Sequence, residues 1–372
     1  MLGLLPLKNG NRLAAVQKFL KSLLVNDVVD AIYVPLESGD GPVLPALVTD
    51  PTCLEQANPL APVMPINGAR AVAALTQKKA PARLGAVLRA CELRALLELV
   101  KLQQACLEDV LLISLDCLGT YEVSDYLGLQ KANRFSLPEF IRVAGSGEQP
   151  DPPDLRQACG MCTLPIPERA DLHLWLYGCA AEESFYVQAR DDLAEKIGLT
   201  PAADQRTEPR RQALQQLAMR RQERRLAEIA AIQARLSGDG TLAGQFAACL
   251  RCHNCMTACP ICYCKTCLFR SAAFDHPPEH YVSLARRKGA VRLLGDTLLF
   301  HLTRLNHMAA SCVSCGMCTS ACPVDIPVGL IFSAIGSHVQ AAFEYSPGRD
   351  LNEPLPLVTF QPNEWNEIGE AR

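Results

Sequence analysis

The sequence predicts two unlike folds in one chain, an α/β domain in the N-terminal part and a mainly α-helical, cysteine-rich domain after it. Three observations carry this expectation. From residue 11 to residue 115, helical periods alternate with short apolar, β-rich runs, the pattern of an α/β layer with a partly parallel sheet. Beyond Gly198 the composition shifts to Arg, Gln, Ala and Leu. Of 18 cysteines, seven fall between Cys249 and Cys267 and four between Cys312 and Cys322.

In chain order, a helical period covers residues 11–25, apolar runs follow at 31–35 and 43–48, and a second helical pattern spans 68–79. A run at 83–88, a helix over about 91–104 and a run at 110–115 complete the alternation. The Gly-Ser-Gly-Glu-Gln-Pro-Asp-Pro-Pro stretch at 145–153 reads as a loop that delivers Cys159 and Cys162. Leu214, Leu217, Leu226, Ile229, Ile232 and Leu236 recur at steps that fit one helix face, ended by Ser237-Gly238-Asp239-Gly240. Arg220, Arg221, Arg224 and Arg225 on that helix read as a solvated face. Helices are expected again over 291–308 and 327–345. The expected domains are therefore 1–205, a linker helix 206–240, a cysteine-rich domain 241–345 and an extended tail 346–372.

Composition narrows the functional classes. A chain of 372 residues with 49% hydrophobic and 20% charged residues is globular rather than disordered. With 36 basic and 39 acidic residues the net charge is −3, which gives no general pull towards nucleic acid or an anionic membrane. No apolar stretch approaches a membrane span, which leaves only peripheral association open, and the first ten residues lack the features of a secretory signal. A cytoplasmic location is expected. In that reducing compartment, clustered Cys-x2-Cys spacings read as metal or cluster ligands before disulfides.

Cys249-Leu-Arg-Cys252-His-Asn-Cys255-Met-Thr-Ala-Cys259-Pro260 is a complete C-x2-C-x2-C-x3-C-P run, and Cys312-Val-Ser-Cys315-Gly-Met-Cys318-Thr-Ser-Ala-Cys322-Pro323 is a second. Three thiolates at this spacing wrap one loop around three irons of a cubane, and the fourth iron takes a ligand from elsewhere. In two-cluster ferredoxins the fourth cysteine of each run serves the other cluster. That rule assigns Cys249, Cys252, Cys255 and Cys322 to one [4Fe-4S] cluster and Cys312, Cys315, Cys318 and Cys259 to the other. Cys262, Cys264 and Cys267 follow at once, as spare thiols, a zinc site completed by His253 or His276, or three ligands of a further cluster. His173, His301 and His307 read as core or surface residues.

The first domain holds its own set. Cys91 opens a helix after one apolar strand and Cys117 follows the next, so both fall at the carboxyl ends of neighbouring strands, where α/β sheets build their sites. A loop carrying Cys159 and Cys162 would complete a four-thiolate cage.

The long, helical spacing between the two runs and the continuation Cys322-Pro-Val-Asp-Ile-Pro327 resemble the α-helical two-cluster ferredoxin module of heterodisulfide reductase and succinate dehydrogenase iron-sulfur subunits. Cys91 with Leu-Arg-Ala-Leu, Asp116-Cys117-Leu-Gly, and Cys159-x2-Cys162 followed by Ala170-Asp171 and Gly178 resemble the β-subunit family of deazaflavin-reducing hydrogenases and formate dehydrogenases, over roughly residues 10–195. The resemblance implies a third [4Fe-4S] cluster on Cys91, Cys117, Cys159 and Cys162, an FAD, and a subunit that connects a hydrogenase or formate dehydrogenase to an electron acceptor. The chain departs from that pattern at Cys179, where the family continues through a glycine-containing flavin segment, so FAD is an alternative here.

The function expected is that of an iron-sulfur electron-transfer subunit, partnered by a catalytic oxidoreductase subunit and by a heterodisulfide-reductase-like or other acceptor. One alternative is an FAD-containing subunit that itself reduces a hydride-accepting cofactor. Another is a nucleic-acid-binding protein with structural clusters. In the tail, Leu355, Leu357, Val358, Phe360 and Trp365 stand among prolines and acids without a helical period, as expected of a docking arm for a second subunit.

Overall fold

The computed structural model describes the chain except for residues 8, 38–41, 148–150, 180–183, 203–206, 238–240, 292–294 and 359–372. The chain divides into two compact units. One comprises Met1–Leu226 and Pro347–Glu353, the other Ala227–Ser346 and Pro354–Arg372.

The first unit is built on a mixed sheet of β1 (Leu2–Pro6), β2 (Ala31–Glu37), β3 (Val43–Val48), β4 (Leu84–Arg89), β5 (Val110–Leu115), β6 (Leu172–Leu174), β7 (Ser184–Ala189) and β8 (Thr200–Pro201). Their order across the sheet is β3-β2-β4-β5-β6-β7-β1-β8. The four strands β2, β4, β5 and β6 run parallel, and the flanking pairs are antiparallel. Every residue of β4 is buried, as expected of a parallel strand covered on both faces. Asn11 caps the helix Arg12–Val25 by accepting from the Ala14 amide at 3.0 Å. Val16, Phe19, Leu20 and Leu23 form its buried stripe against the core. The helix Ala90–Lys101 carries the chain from β4 to β5, and its Glu92 closes a box onto the Arg89 amide at 2.9 Å.

Sequence periodicity had no purchase on β1, β6, β7 and β8, which are short or held by partners far along the chain. β1 pairs with β7, from Leu2 opposite Gln188 to Pro6 opposite Ser184. The expected loop at 145–153 starts later than its glycines suggest, because Gly145 and Ser146 end the helix Leu137–Ser146. The stop comes at Gly147, whose φ of +69° and approach to the Ala213 backbone leave no room for a Cβ. Residues 148–150 of that loop lie outside the described residues.

The expected linker helix is one continuous helix, Thr207–Ser237, and the boundary between the units falls within it. Two of the four arginines from Arg220 to Arg225 correct the reading of a solvated face, while Arg224 is exposed. Arg221 is 2% exposed and pairs with Asp151 at 3.0 Å. It also donates to the Cys162 carbonyl, while Arg220 donates to the Gly147 carbonyl at 2.7 Å. The physical reason is the loop packed on this helix, which offers a carboxylate and carbonyls that the helix pattern does not reveal.

The second unit is helical, with Leu242–Gln245, Asn254–Ala258, Pro278–Lys288, Gly295–Met308, Met317–Ser320 and Val328–Ala342. Phe246, Phe300, Met308, Met317, Ile331 and Phe332 are among its buried residues. Leu355 is buried and Val358 exposed. Phe360 and Trp365, the large anchors expected of the tail, lie outside the described residues. Within the first unit, residues 347–353 are held where the Gly348 amide donates to Glu98 Oε1 at 2.8 Å. No described helix is long and apolar enough to cross a membrane.

Candidate iron-sulfur sites

In the second unit the two cysteine runs fold alike. Arg251 and His253 flank Cys252 with φ of +56° and +60°, and Ser314 and Gly316 flank Cys315 with +56° and +73°. Left-handed residues on either side of the middle cysteine curl each run into a tight loop, and a short helix follows, Asn254–Ala258 or Met317–Ser320. These two helices pack together, which draws the runs to each other.

Cys249, Cys252, Cys255 and Cys322 line one small cavity, with Phe300 and His301 in its wall. The donor set is four thiols from both runs, and the Arg251 amide donates to Cys249 Sγ at 3.4 Å. Four thiols from two loops are the donor chemistry that a four-iron cluster takes. Burial, with Cys252 and Cys322 nearby, pushes the Cys249 thiol up. In the other group, burial and then Cys259, Cys315 and Cys312 push the Cys318 thiol well up. Bound iron would offset that crowding, since its positive charge would stabilise the thiolates while their protons go to solvent.

The helix Gly295–Met308 runs along these thiols. His301 Nε2 lies 3.4 Å from Cys249 Sγ and the ring stacks on Phe246 at 3.8 Å. Arg304 donates to Cys255 Sγ at 3.1 Å, and Met308 Sδ lies 4.0 Å from Cys259 Sγ. Sequence reasoning weighed His301 as ordinary packing and missed Arg304. The available signal was the spacing, since His301, Arg304 and Met308 fall on one helix face.

Cys262, Cys264 and Cys267 part company. Cys262 and Cys267 pack beside Cys255, Met256, Phe269 and Phe300, and Cys267 Sγ reaches Met256 Sδ at 3.7 Å. Cys264 is exposed. Burial, then Cys259, pushes the Cys262 thiol up to about 11. Among the described residues, no three His, Cys, Asp or Glu side chains converge on the point a single metal ion would occupy. The thiolates of a four-iron cluster bind separate irons and are spaced more widely than that.

In the first unit, Asp116 anchors the Cys117 strand end. Fully buried, it accepts from the Leu176 and Tyr177 amides at 2.7 and 3.0 Å, from Arg210, and pairs with His173 at 2.8 Å. Burial opposes its ionisation, yet Arg210 and His173 hold the carboxyl far below the usual range. The Cys117 amide donates to Pro165 and its carbonyl accepts from Tyr177 Oη at 2.8 Å, so the backbone at Cys117 is pinned on both sides. Burial, then Cys159, raises the Cys117 thiol to about 11, and Cys162 adds to the effect. Cys159 behaves oppositely, because Arg156 and Thr120 outweigh burial and lower its thiol. Thr120 Oγ1 lies 3.3 Å from Cys159 Sγ. Cys117, Cys159 and Cys162 thus come together, and Cys91 stands at the second position of the helix that follows β4. Cys179 Sγ contacts the Tyr177 carbonyl at 3.7 Å.

A separate cavity of about 20 Å³ lies beside Arg89, lined by Tyr33, Met64, Arg89 and Glu92 among others. It is far smaller than a small-molecule pocket, and the described residues there do not enclose a dinucleotide.

Residues 245–326 match the family model of the 4Fe-4S dicluster domain. Along most of its length the chain also aligns with the F420-dependent formate dehydrogenase subunit beta of Methanocaldococcus jannaschii. The two are 26% identical over 387 residues, covering 93% of this chain and 94% of that protein. The chain resembles formate dehydrogenase β subunits. A second relative, the F420-dependent formate dehydrogenase 1 subunit beta of Methanococcus maripaludis, is 23% identical over 315 residues, 74% of this chain and 76% of that one. Among solved structures, a chain of the xenon-derivatized F420-reducing [NiFe] hydrogenase complex from Methanosarcina barkeri overlaps 58% of this chain and 84% of its own length. The TM-score there is 0.42 at 14% identity.

Proposed function

We propose that this chain is the iron-sulfur electron-transfer subunit of a cytoplasmic oxidoreductase complex, placed between a catalytic subunit of the formate dehydrogenase or hydrogenase kind and an acceptor subunit. A heterodisulfide-reductase-like protein is the acceptor class that the helical two-cluster module suggests. The observation that carries the reading is the crosswise assembly of two complete cysteine runs, with Cys322 of the second run lining the cavity of the first. Similarity to formate dehydrogenase β subunits over 93% of the chain supports it.

On this reading Cys249, Cys252, Cys255 and Cys322 hold one [4Fe-4S] cluster, Cys312, Cys315, Cys318 and Cys259 a second, and Cys91, Cys117, Cys159 and Cys162 a third. Bound clusters supply one-electron carriers, so no side chain need act on a substrate. The chain's residues hold sulfur ligands in place and keep water away. Phe300 and His301 wall the first cavity, and Asp116 with Arg210 and Tyr177 fixes the loop behind Cys117. The nucleic-acid alternative rests on the segment from Arg220 to Arg225, and Arg220 and Arg221 of it are taken up by the first unit's own loop.

Anaerobic isolation from the native host, with iron, sulfide and flavin quantified and co-purifying chains identified, tests the reading. Co-purification with a formate dehydrogenase or hydrogenase subunit, and reduction of the cluster signals by formate or hydrogen, is the expected result. Isolation free of iron, or binding to DNA with a steep salt dependence, would overturn it.

A further inference from the structure

We propose that Arg304 is a shared potential-setting residue for the two clusters of the cysteine-rich unit, a positioning cation that raises the reduction potential of both. The inference rests on the ligand sets proposed above and adds a role for a residue outside them.

Arg304 is 3% exposed, on the helix Gly295–Met308. Its Nη1 donates to Cys255 Sγ at 3.1 Å and its Nη2 to the Cys255 carbonyl at 3.1 Å. It also interacts electrostatically with the thiols of Cys259, Cys318 and Cys262. Cys255 belongs to one set and Cys259 and Cys318 to the other, so a single guanidinium serves both. The ring faces of Phe300 and Phe332 lie 5.4 and 5.1 Å from the guanidinium carbon and shield it from water. Among the described residues no carboxylate pairs with Arg304, and the sulfurs are its counter-charges.

The chemistry follows from charge. Arginine stays protonated in proteins, so this positive charge is permanent. Adding one electron to a cluster adds one negative charge next to these sulfurs, with no atom transferred. A desolvated cation at hydrogen-bond distance stabilises that added charge more than the oxidised state, and hydrogen bonds to cluster sulfurs act in the same direction. The hydrogen bond goes to Cys255, so the larger effect belongs to the cluster held by Cys249, Cys252, Cys255 and Cys322. Lysine would keep the charge but not the forked contact to both Cys255 Sγ and its carbonyl.

The test uses the full chain, loaded anaerobically, with iron and sulfide counted and each cluster titrated by electron paramagnetic resonance during stepwise reduction with dithionite. Arg304→Gln should move both midpoint potentials to more negative values, most for the cluster held by Cys255, and Arg304→Lys should move them less. Wild-type chain labelled with 15N-arginine should show a nitrogen coupling in the reduced signal of the Cys255-held cluster, which is a readout that survives if the glutamine variant loses its clusters. Full iron content with unchanged potentials in Arg304→Gln, or absence of the 15N coupling, would overturn the proposal while leaving the ligand sets intact. A wild-type chain without the two cluster signals would instead overturn the ligand sets, and this inference with them.

Discussion

Cys91 and Cys117 both follow the carboxyl ends of neighbouring strands, each two residues beyond a paired position, Arg89 opposite Leu115 in β4 and β5. Parallel pairing puts both at one edge of the sheet, because neighbouring parallel strands end on the same side. Cys159 and Cys162 come to Cys117 from the loop after residue 151, and Arg221 holds that loop through Asp151 and the Cys162 carbonyl.

The first prediction counts iron. Three clusters at four irons each should give about twelve irons per chain. Cys318→Ser should damage one cluster of the cysteine-rich unit, whereas Cys159→Ser should leave both of those signals in the electron paramagnetic resonance spectrum and abolish a third. About eight irons in a chain with both ferredoxin-type signals intact would remove the Cys91, Cys117, Cys159 and Cys162 site.

Buried Arg221 pairs with partly buried Asp151, and removing one partner strands the other's charge. Arg221→Ala should cost about 3 kcal/mol in anaerobic urea unfolding, and adding Asp151→Asn should recover part of that loss. Additive single losses would show that the two residues act independently.

Asp116 makes a prediction about pH. Its pKa is depressed in the folded state, so its stabilisation is complete above the unfolded value near 4 and is lost only as pH falls below that value. Asp116→Asn should therefore destabilise by about 3 kcal/mol, and by the same amount at pH 8 and pH 5. A penalty that already shrinks between pH 8 and pH 6 would move the titration to another group.

Gly348 has φ of +74°, and a Cβ there would fall 2.4 Å from Arg94 Cα. Gly348→Ala should release residues 347–353 at a cost of about 2 kcal/mol and speed proteolytic cleavage after Arg349. Wild-type cleavage rates would refute the anchor.

The same anchor decides where the tail should be cut. Removal of everything after Tyr345 would delete Gly348 and Leu355, which are both buried or bonded, along with the proposed docking arm. Truncation after Val358 removes residues 359–372, taking Phe360 and Trp365 but sparing Leu355, and should leave the cluster spectra unchanged while weakening co-purification with the catalytic or acceptor subunit. Normal assembly of that truncation would show that the arm does not dock a partner.

What could be read from the sequence alone is whatever is local. The alternation of helical and strand periods is decided by side chains a few positions apart, and Val43–Val48 and Val110–Leu115 are strands at the bounds the pattern suggests. The two cysteine runs likewise carry their ligand spacing within eleven residues each. Only the tertiary structure decided the rest, because it depends on partners distant in sequence. Residues Leu2–Pro6 became a strand through β7, almost the whole first unit away. Arg221 was taken from solvent by Asp151, and Arg304 met Cys255 across 49 positions. A charged residue on a helix carries no mark of which buried acceptor will meet it, and it is that meeting which turns a surface arginine into part of a site.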